Sequence, residues 1–587
     1  MAAWRFFIYF AVTTTAVRVW TFWKNTEVPI VNAPAGQIGG ALLKSRKGRD
    51  IFAYKGIPYV QPPIGPLKFK RPVPFEGPAW TGVFDGTKGI TVCPQPTGIP
   101  LMPYQGNEDC LQLNVYVPKS DKPNPSGFPV MVWFHGGGFY SGDSSERFYG
   151  PGHLLDKDVI LVTVNYRLGV YGFLNLGTED IPGNQGMWDQ HEALKWVQKN
   201  IKAFGGNPKH VTIFGESAGG WSVSYHLASR KSQGLFQAAI IQSGGLEVGG
   251  LKIDNFRSIV SLHKDYAADV GCPFREDVHY CLSSKSTQEL YASAKMFDQC
   301  NTVSAVEAAF PVIWAPSDDF KISTDPFFAK NPRQVFKDGD FVKVPVMIGA
   351  TRDEGLLHTA SMLSDPVVFE DFKTNWEVCY ANSFLEQYFV EDPIPAPLLK
   401  KIHQIHDFYF GQNELTLDED WIFRNLTHLF SDPGWLLSAE RLAHQLSQKS
   451  KTYYYHFEHV GSFSAGDIFS LGKSGFLWTL MKKFVGIHET KSLGVSHADD
   501  ILYLFDKIFP VSLLPDDRDQ EMIDFLVELW TNFATFHNPT PDDNSWPMYR
   551  SDGHTYVRLD SSQINTKHNP QVDERLKFWK NMYEIDI

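Results

Sequence analysis

The sequence predicts an α/β protein: one large, mostly parallel, twisted sheet with helices on both faces and helical insertions. Two observations carry that reading. Between about residues 110 and 245, short β-branched and aromatic runs alternate with helix-like patterns. Uninterrupted runs of that kind belong to strands covered on both faces, the arrangement of a parallel sheet between helices. The chain is also large enough to bury an extensive core: it has 587 residues, of which 43% are hydrophobic and 20% charged.

The elements follow in order. Val130-Met131-Val132-Trp133-Phe134 reads as a strand ending in His135-Gly136-Gly137-Gly138, and Val159 to Val164 reads as the next. Asp189 to Ile201 reads as an amphipathic helix, with Ala193, Leu194, Val197 and Ile201 at helical spacing. It stops before Gly205-Gly206-Asn207-Pro208, a strong breaker. Val211 to Phe214 is a strand, about Ala218 to Ala228 a helix, and Ala238 to Ile241 a strand. Later strands are expected at Val344 to Ile348 and Thr452 to Phe457. The helix-rich stretches at about 255–335 and 365–445 read as insertions on the same sheet, because candidate catalytic parts fall on both sides of them. Residues 17–587 are therefore expected to form a single domain.

The formal net charge is −12, from 66 acidic and 54 basic residues. Nucleic-acid binders carry a basic excess, so no nucleic-acid partner is expected. The stretch from Phe6 to Val17 is uncharged and mostly apolar, follows the single positive charge of Arg5, and has small residues at Thr14 and Ala16. It reads as a signal peptide over residues 1–16, diluted by three threonines and too short to span a bilayer. A secreted protein without membrane insertion is the expectation.

Gly215-Glu216-Ser217-Ala218-Gly219 lies where a strand meets a helix. Gly-x-Ser-x-Gly alone is a weak signal. At a strand-to-helix junction it has a mechanical reason: the serine occupies a sharp, strained turn, and the glycines avoid clashes with neighbouring backbone. The turn puts the hydroxyl beside a helix N-terminus, where free N–H groups favour negative charge. The glycine run after His135 leaves backbone N–H groups uncovered. Gly137 and Gly138, with the N–H of Ala218, are candidate donors to an oxyanion, each worth about 3 kcal/mol in the transition state. Ser217 is thus a candidate nucleophile.

Several longer motifs agree with this. Val132 to Phe139, Glu108-Asp109-Cys110-Leu111-Gln112-Leu113-Asn114, Phe214 to Gly220, Tyr54 to Tyr59 and Asn165-Tyr166-Arg167-Leu168-Gly169 together resemble the type-B carboxylesterase/cholinesterase family. The resemblance spans most of the chain. It implies the α/β-hydrolase fold and hydrolysis of a small-molecule carboxylic ester, with no metal and no cofactor.

The resemblance also selects the partners of Ser217, which spacing alone leaves open among many acids and histidines. The family's acid stands in a motif like Arg352-Asp353-Glu354-Gly355, which matches Glu354, with Asp353 as the rival. The family's histidine stands in Gly-Val-x-His, here Gly494-Val495-Ser496-His497. A Ser217–Glu354–His497 triad is implied, with His497 as the base, and activity is expected to fall as pH drops through roughly 6 to 7. The family pairs the cysteine of Glu-Asp-Cys with one upstream, implying Cys93–Cys110, and Cys272 and Cys281 resemble its second small loop. Cys300 and Cys379 match no family pair; they pair with each other or stay reduced. Asn425-Leu426-Thr427 is an N-glycosylation sequon.

Departures from family subtypes narrow the substrate. Cholinesterases carry a Trp about ten residues before the Glu-Asp-Cys cysteine, facing a cationic substrate. Pro100 stands there in this chain, so an uncharged ester is expected. Juvenile hormone esterases typically have Gln at the position of Glu216, which lowers that assignment. Many members carry a Trp after the strand that ends in Gln242-Ser243-Gly244. Val248 to Leu251 hold none, which implies a roomier acyl pocket. The wording His497-Ala498-Asp499-Asp500 is similar to arthropod secreted esterases. Two other readings stand beside this one. A non-catalytic adhesion relative would lack a triad member, and a lipase or hormone or odorant esterase would share the chemistry and differ in the pocket. The sequence leaves the oligomeric state open.

Overall fold

The computed structural model describes residues 29–584 apart from 100–101, 121–123, 246–255, 292–313, 365, 385–392, 414, 417–419, 471–491, 508–514, 551–555 and 567–568. The expected signal peptide, Pro100, Val248 to Leu251 and Cys300 lie outside the described residues.

Eleven strands form one sheet. They are β1 (Ala41–Lys44), β2 (Asp50–Pro58), β3 (Gln112–Pro118), β4 (Phe128–Phe134), β5 (Ile160–Val164), β6 (Gly206–Glu216), β7 (Ala238–Gln242), β8 (Val346–Thr351), β9 (Thr452–Phe457), β10 (Val557–Asp560) and β11 (Gln563–Asn565). Their spatial order is β11-β10-β9-β8-β7-β6-β4-β5-β3-β2-β1. From β10 to β5 every neighbour is parallel, and antiparallel pairs occur only towards the two edges. The strands of this one sheet are drawn from residue 41 to residue 565, so the helical segments between β7 and β8 and between β8 and β9 are excursions from it.

Both faces of the sheet are covered. On β4, Val130, Val132 and Phe134 enter one hydrophobic core while Met131 and Trp133 enter the other. All five are fully buried, which explains why β4 reads as a continuous apolar run without alternation. Helices α1 (Gln185–Asn200) and α2 (Ala218–Ala228) supply Leu194, Val197, Trp221 and Leu227 to the first core. A third helix, α3 (Asp420–Ser431), belongs to a separate cluster in the excursion between β8 and β9, with Ile422, Leu426 and Leu429 inside. Helix α4 (Asp517–Phe536) covers the second face with Ile523, Leu526 and Trp530. Each such side chain contributes about 1.5–3 kcal/mol when fully buried. Among the described residues no helix is long and apolar enough to cross a membrane.

Element boundaries depart from the sequence expectation most instructively at α1, β6 and β8. Helix α1 begins at Gln185, not Asp189, and its whole first turn is buried. Asp189 instead forms a buried ion pair with Arg167, with Nη2 to Oδ1 at 2.7 Å, which ties the loop after β5 to the helix. Strand β6 begins at Gly206, inside the expected breaker: Gly206 pairs with Phe128, and after a register shift the ladder resumes at Val211 opposite Val130. The Gly-Asn-Pro stretch makes an irregularity within the strand, not a gap before it. Strand β8 starts at Val346 because Pro345 has no N–H to give; its carbonyl accepts the Ala239 N–H at 3.0 Å.

Candidate active site

The site lies at the carboxyl ends of the central parallel strands, where crevices form in open α/β sheets. Ser217 follows β6 directly and caps α2, with φ 57° and ψ −123°. That backbone is strained for an L-residue, at a cost of about 1–3 kcal/mol. It persists because the surroundings fix it: the Ser217 N–H donates to Gln242 O at 3.0 Å, and the Trp221 N–H donates to Ser217 O at 2.9 Å. The two glycines of the pentapeptide have a measurable reason. A Cβ on Gly215 would lie 2.5 Å from Gly219 backbone, and one on Gly219 would lie 1.9 Å from Phe134 O.

The glycine run after β4 presses against this turn. A Cβ on Gly136 would meet Glu216 Oε2 at 2.7 Å and Ser217 Cβ at 3.1 Å. Gly137 and Gly138 both have positive φ, 105° and 62°, which aims their backbone in directions other residues rarely adopt. Gly136 is thus the glycine that packs on Ser217, with Gly137 and Gly138 following it and Ala218 following Ser217 in the chain. His135 is not part of the reacting set. Burial holds its pKa down to about 4, and its ring stacks on Tyr166 at 4.5 Å.

Glu354 and His497 meet although 143 residues separate them: Glu354 Oε2 lies 2.5 Å from His497 Nδ1. The other carboxylate oxygen, Oε1, accepts the Thr351 N–H at 2.7 Å and the Ser243 hydroxyl at 2.6 Å. Both carboxylate oxygens are engaged, which fixes the orientation of the carboxylate. Asp353, the rival acid, points elsewhere, to Arg352 and the Val495 N–H.

The far ring nitrogen, His497 Nε2, faces Glu216 Oε1 at 3.0 Å. Burial disfavours the imidazolium, but Glu216 and Glu354 together outweigh it, and the His497 pKa is raised above its ordinary value. Trp435 packs on the imidazole with centroids 4.3 Å apart, and Trp221 packs on Trp435 at 4.9 Å. Beneath them Asp500 accepts from Gln242 Nε2 and the Tyr455 hydroxyl, both at 2.9 Å, and burial pushes its pKa up to about 7.

The model of the carboxylesterase family matches residues 27–579. The chain belongs to the carboxylesterase family. It is 33% identical to a juvenile hormone esterase of Tribolium castaneum, with 96% of each chain covered. It is 32% identical to a carboxylic ester hydrolase of Bombus ignitus, with 95% of each covered, and 32% identical to an acetylcholinesterase of Bungarus fasciatus, covering 94% of this chain and 86% of that one. The crystal structure of juvenile hormone esterase from Manduca sexta, with OTFP covalently attached, superposes with a TM-score of 0.77 at 26% identity, covering 95% of this chain and all of the other. The fold is that of the α/β hydrolases and the activity is carboxylic ester hydrolysis.

Most of the carboxylesterase motifs in this chain are framework. Asn114 Oδ1 accepts the Gly56 N–H, and its Nδ2 donates to Ser144 O. Asn165 accepts the Ser144 N–H and donates to Thr91 O and Cys110 O. These amides hold the loop that continues from the glycine run. Disulfides join Cys93 to Cys110 and Cys272 to Cys281. Cys379 is buried.

Sequence reading missed two groups. Ser243 holds Glu354, and its sole signal was its place directly after β7, level with Ser217 on the neighbouring strand. Glu216 was noted only as a subtype marker, yet its carboxylate faces His497. The sequon lies on a helix. Asn425 lies within α3 with Nδ2 donating to Tyr409 O at 2.8 Å, and Leu426 and Thr427 are buried. The fold engages one N–H of that amide, and Asn425 itself is half-buried.

Proposed function

We propose that this carboxylesterase cleaves uncharged carboxylic esters through an acyl-enzyme on Ser217. His497 takes the Ser217 proton as the hydroxyl attacks the ester carbonyl. Glu354 fixes the imidazole at Nδ1 and stabilises the imidazolium. Gly137, Gly138 and Ala218 donate to the oxyanion, aided by the N-terminus of α2. The alcohol leaves, and water releases the acid by the same route. The observation that carries the reading is the 2.5 Å contact of His497 with Glu354, itself held at both oxygens, at the carboxyl end of the sheet where β6 presents Ser217.

The raised His497 pKa modifies the expected pH dependence. The base works only as neutral imidazole, so the acid limb of kcat/KM is expected above the ordinary histidine range. The test of the reading is Ser217→Ala. Turnover of p-nitrophenyl esters should fall by about 10⁴-fold or more, and stoichiometric labelling by an organophosphate should vanish. A variant that keeps either overturns it. A panel of esters of graded acyl length tests the roomier acyl pocket: preference for acetate over butyrate and longer esters would refute it. The two disulfides support a secretory, oxidising compartment. Recovery of the untagged protein from the medium of a eukaryotic host is the expected result, and retention in the cell would oppose it.

A further inference from the structure

The loop that carries His497 has unusual backbone on both sides of the histidine, and it is strained at Ala498. Gly494 has φ +146° and Ala498 has φ +69°, the latter in a region that favours glycine. Such a loop needs external restraint to keep one geometry. The restraint comes from two buried carboxylates acting on consecutive N–H groups. Asp353 Oδ2 accepts the Val495 N–H at 2.8 Å, and the Asp353 N–H returns a bond to Val495 O at 2.9 Å. Asp499 Oδ2 accepts the Ser496 N–H, also at 2.8 Å.

Each carboxylate is anchored in turn to a different part of the fold. Asp353 is gripped by Arg352 through Nε and Nη2, at 2.9 and 2.8 Å. Asp499 accepts the Ala465 N–H at 2.6 Å and the Ser464 hydroxyl at 2.8 Å. The clamp also gives Gly494 its reason. A Cβ there would lie 2.4 Å from Asp353 Oδ2, so the approach of that carboxylate excludes any side chain. Asp353 therefore joins the acid loop to the histidine loop directly beside the Glu354–His497 contact, and Asp499 joins the histidine loop to the segment after β9.

We propose that Asp353 and Asp499 are a pair of positioning residues that set the place of His497 through the backbone of Val495 and Ser496. Neither touches the substrate. They determine how often His497 stands where it can take the Ser217 proton. The inference rests on His497 being the base.

The experiment compares Asp353→Ala, Asp353→Asn and Asp499→Asn with the wild-type enzyme. Activity on a p-nitrophenyl ester is divided by the number of sites titrated to completion with an organophosphate, so that only folded enzyme is counted. For Asp353→Ala, kcat per titrated site is expected to fall by about 10- to 100-fold with KM within about twofold, the signature of a misplaced base. Asp353→Asn keeps an oxygen for the Val495 N–H and is expected to recover at least half of that loss on a logarithmic scale. Asp499 accepts a backbone N–H on each oxygen, so Asp499→Asn loses one of them and should lower kcat per site more than Asp353→Asn. Full kcat per site in Asp353→Ala would overturn the proposal. So would a loss confined to the number of titratable sites, or isosteric Asn variants that fail to fold, since each would make the carboxylates structural only. His497→Ala run alongside separates the two failures: if it keeps activity, the underlying reading falls instead.

Discussion

The two halves of the site are held by different means. The Ser217 half is backbone against backbone: Gly215 pairs with Phe134 across the β6–β4 ladder, and the glycines let the turn, α2 and the glycine run interlock without side chains between them. The Glu354–His497 half consists of two loops from distant parts of the chain, joined by side chains of Ser243, Asp353, Asp499 and Glu216. Strand register is rigid and cooperative, whereas a clamp of charged hydrogen bonds can be loosened one bond at a time. Damage to the first half should therefore be all-or-none, and damage to the second should be graded.

Glu354→Gln should show the largest effect, about a 10⁴-fold loss in kcat, because the amide can favour the wrong imidazole tautomer. Steady-state kinetics with a thermal melt check it, and a loss under tenfold would mean the clamp, not the acid, fixes His497. Gly219→Ala comes next. A methyl 1.9 Å from Phe134 O cannot be accommodated without moving β4 or α2. We expect at least about a 10³-fold loss in kcat and a lower melting temperature together, since strain at a special backbone position costs both. Near-normal activity would show that the interlock has slack.

Ser243→Ala removes one donor from a buried carboxylate, worth about 1.5–3 kcal/mol, so kcat should fall by about 10- to 100-fold with little change in KM. That intermediate value is the graded response that separates the halves. The smallest effect is on pH. Glu216→Gln removes one of the two carboxylates that raise the His497 pKa. The folded-state pKa then drops, neutral imidazole persists to lower pH, and the acid limb of kcat/KM should move down by about one unit. A limb that stays in place would show that Glu216 does not act on the base.

Legibility follows the same division. Strand β9 and helix α2 were read at their observed bounds because each is a compact run of one pattern. The turn at Ser217 was legible for the same reason: Gly215 to Gly219 and the glycine run encode their geometry within a few residues. Ser243 was not legible, since a serine after a strand has no distinguishing neighbour until Glu354 arrives from more than a hundred residues away. The surroundings of Asn425 were not legible either. A sequon is a local pattern, and nothing local shows that Tyr409 O takes up its amide.

By itself, then, the sequence determined the sheet-and-helix plan, the strained turn at Ser217 and the glycine run beside it, because apolar periodicity and glycine placement act over a few residues. Family resemblance named Glu354 and His497. The tertiary structure alone decided that Glu216 stands opposite Glu354 on the same imidazole, that Ser243 donates to Glu354, and that Asp353 turns to Arg352 and the Val495 N–H and not to His497. Those assignments depend on which side chains converge across loop closures of a hundred residues or more, and no local pattern carries that information.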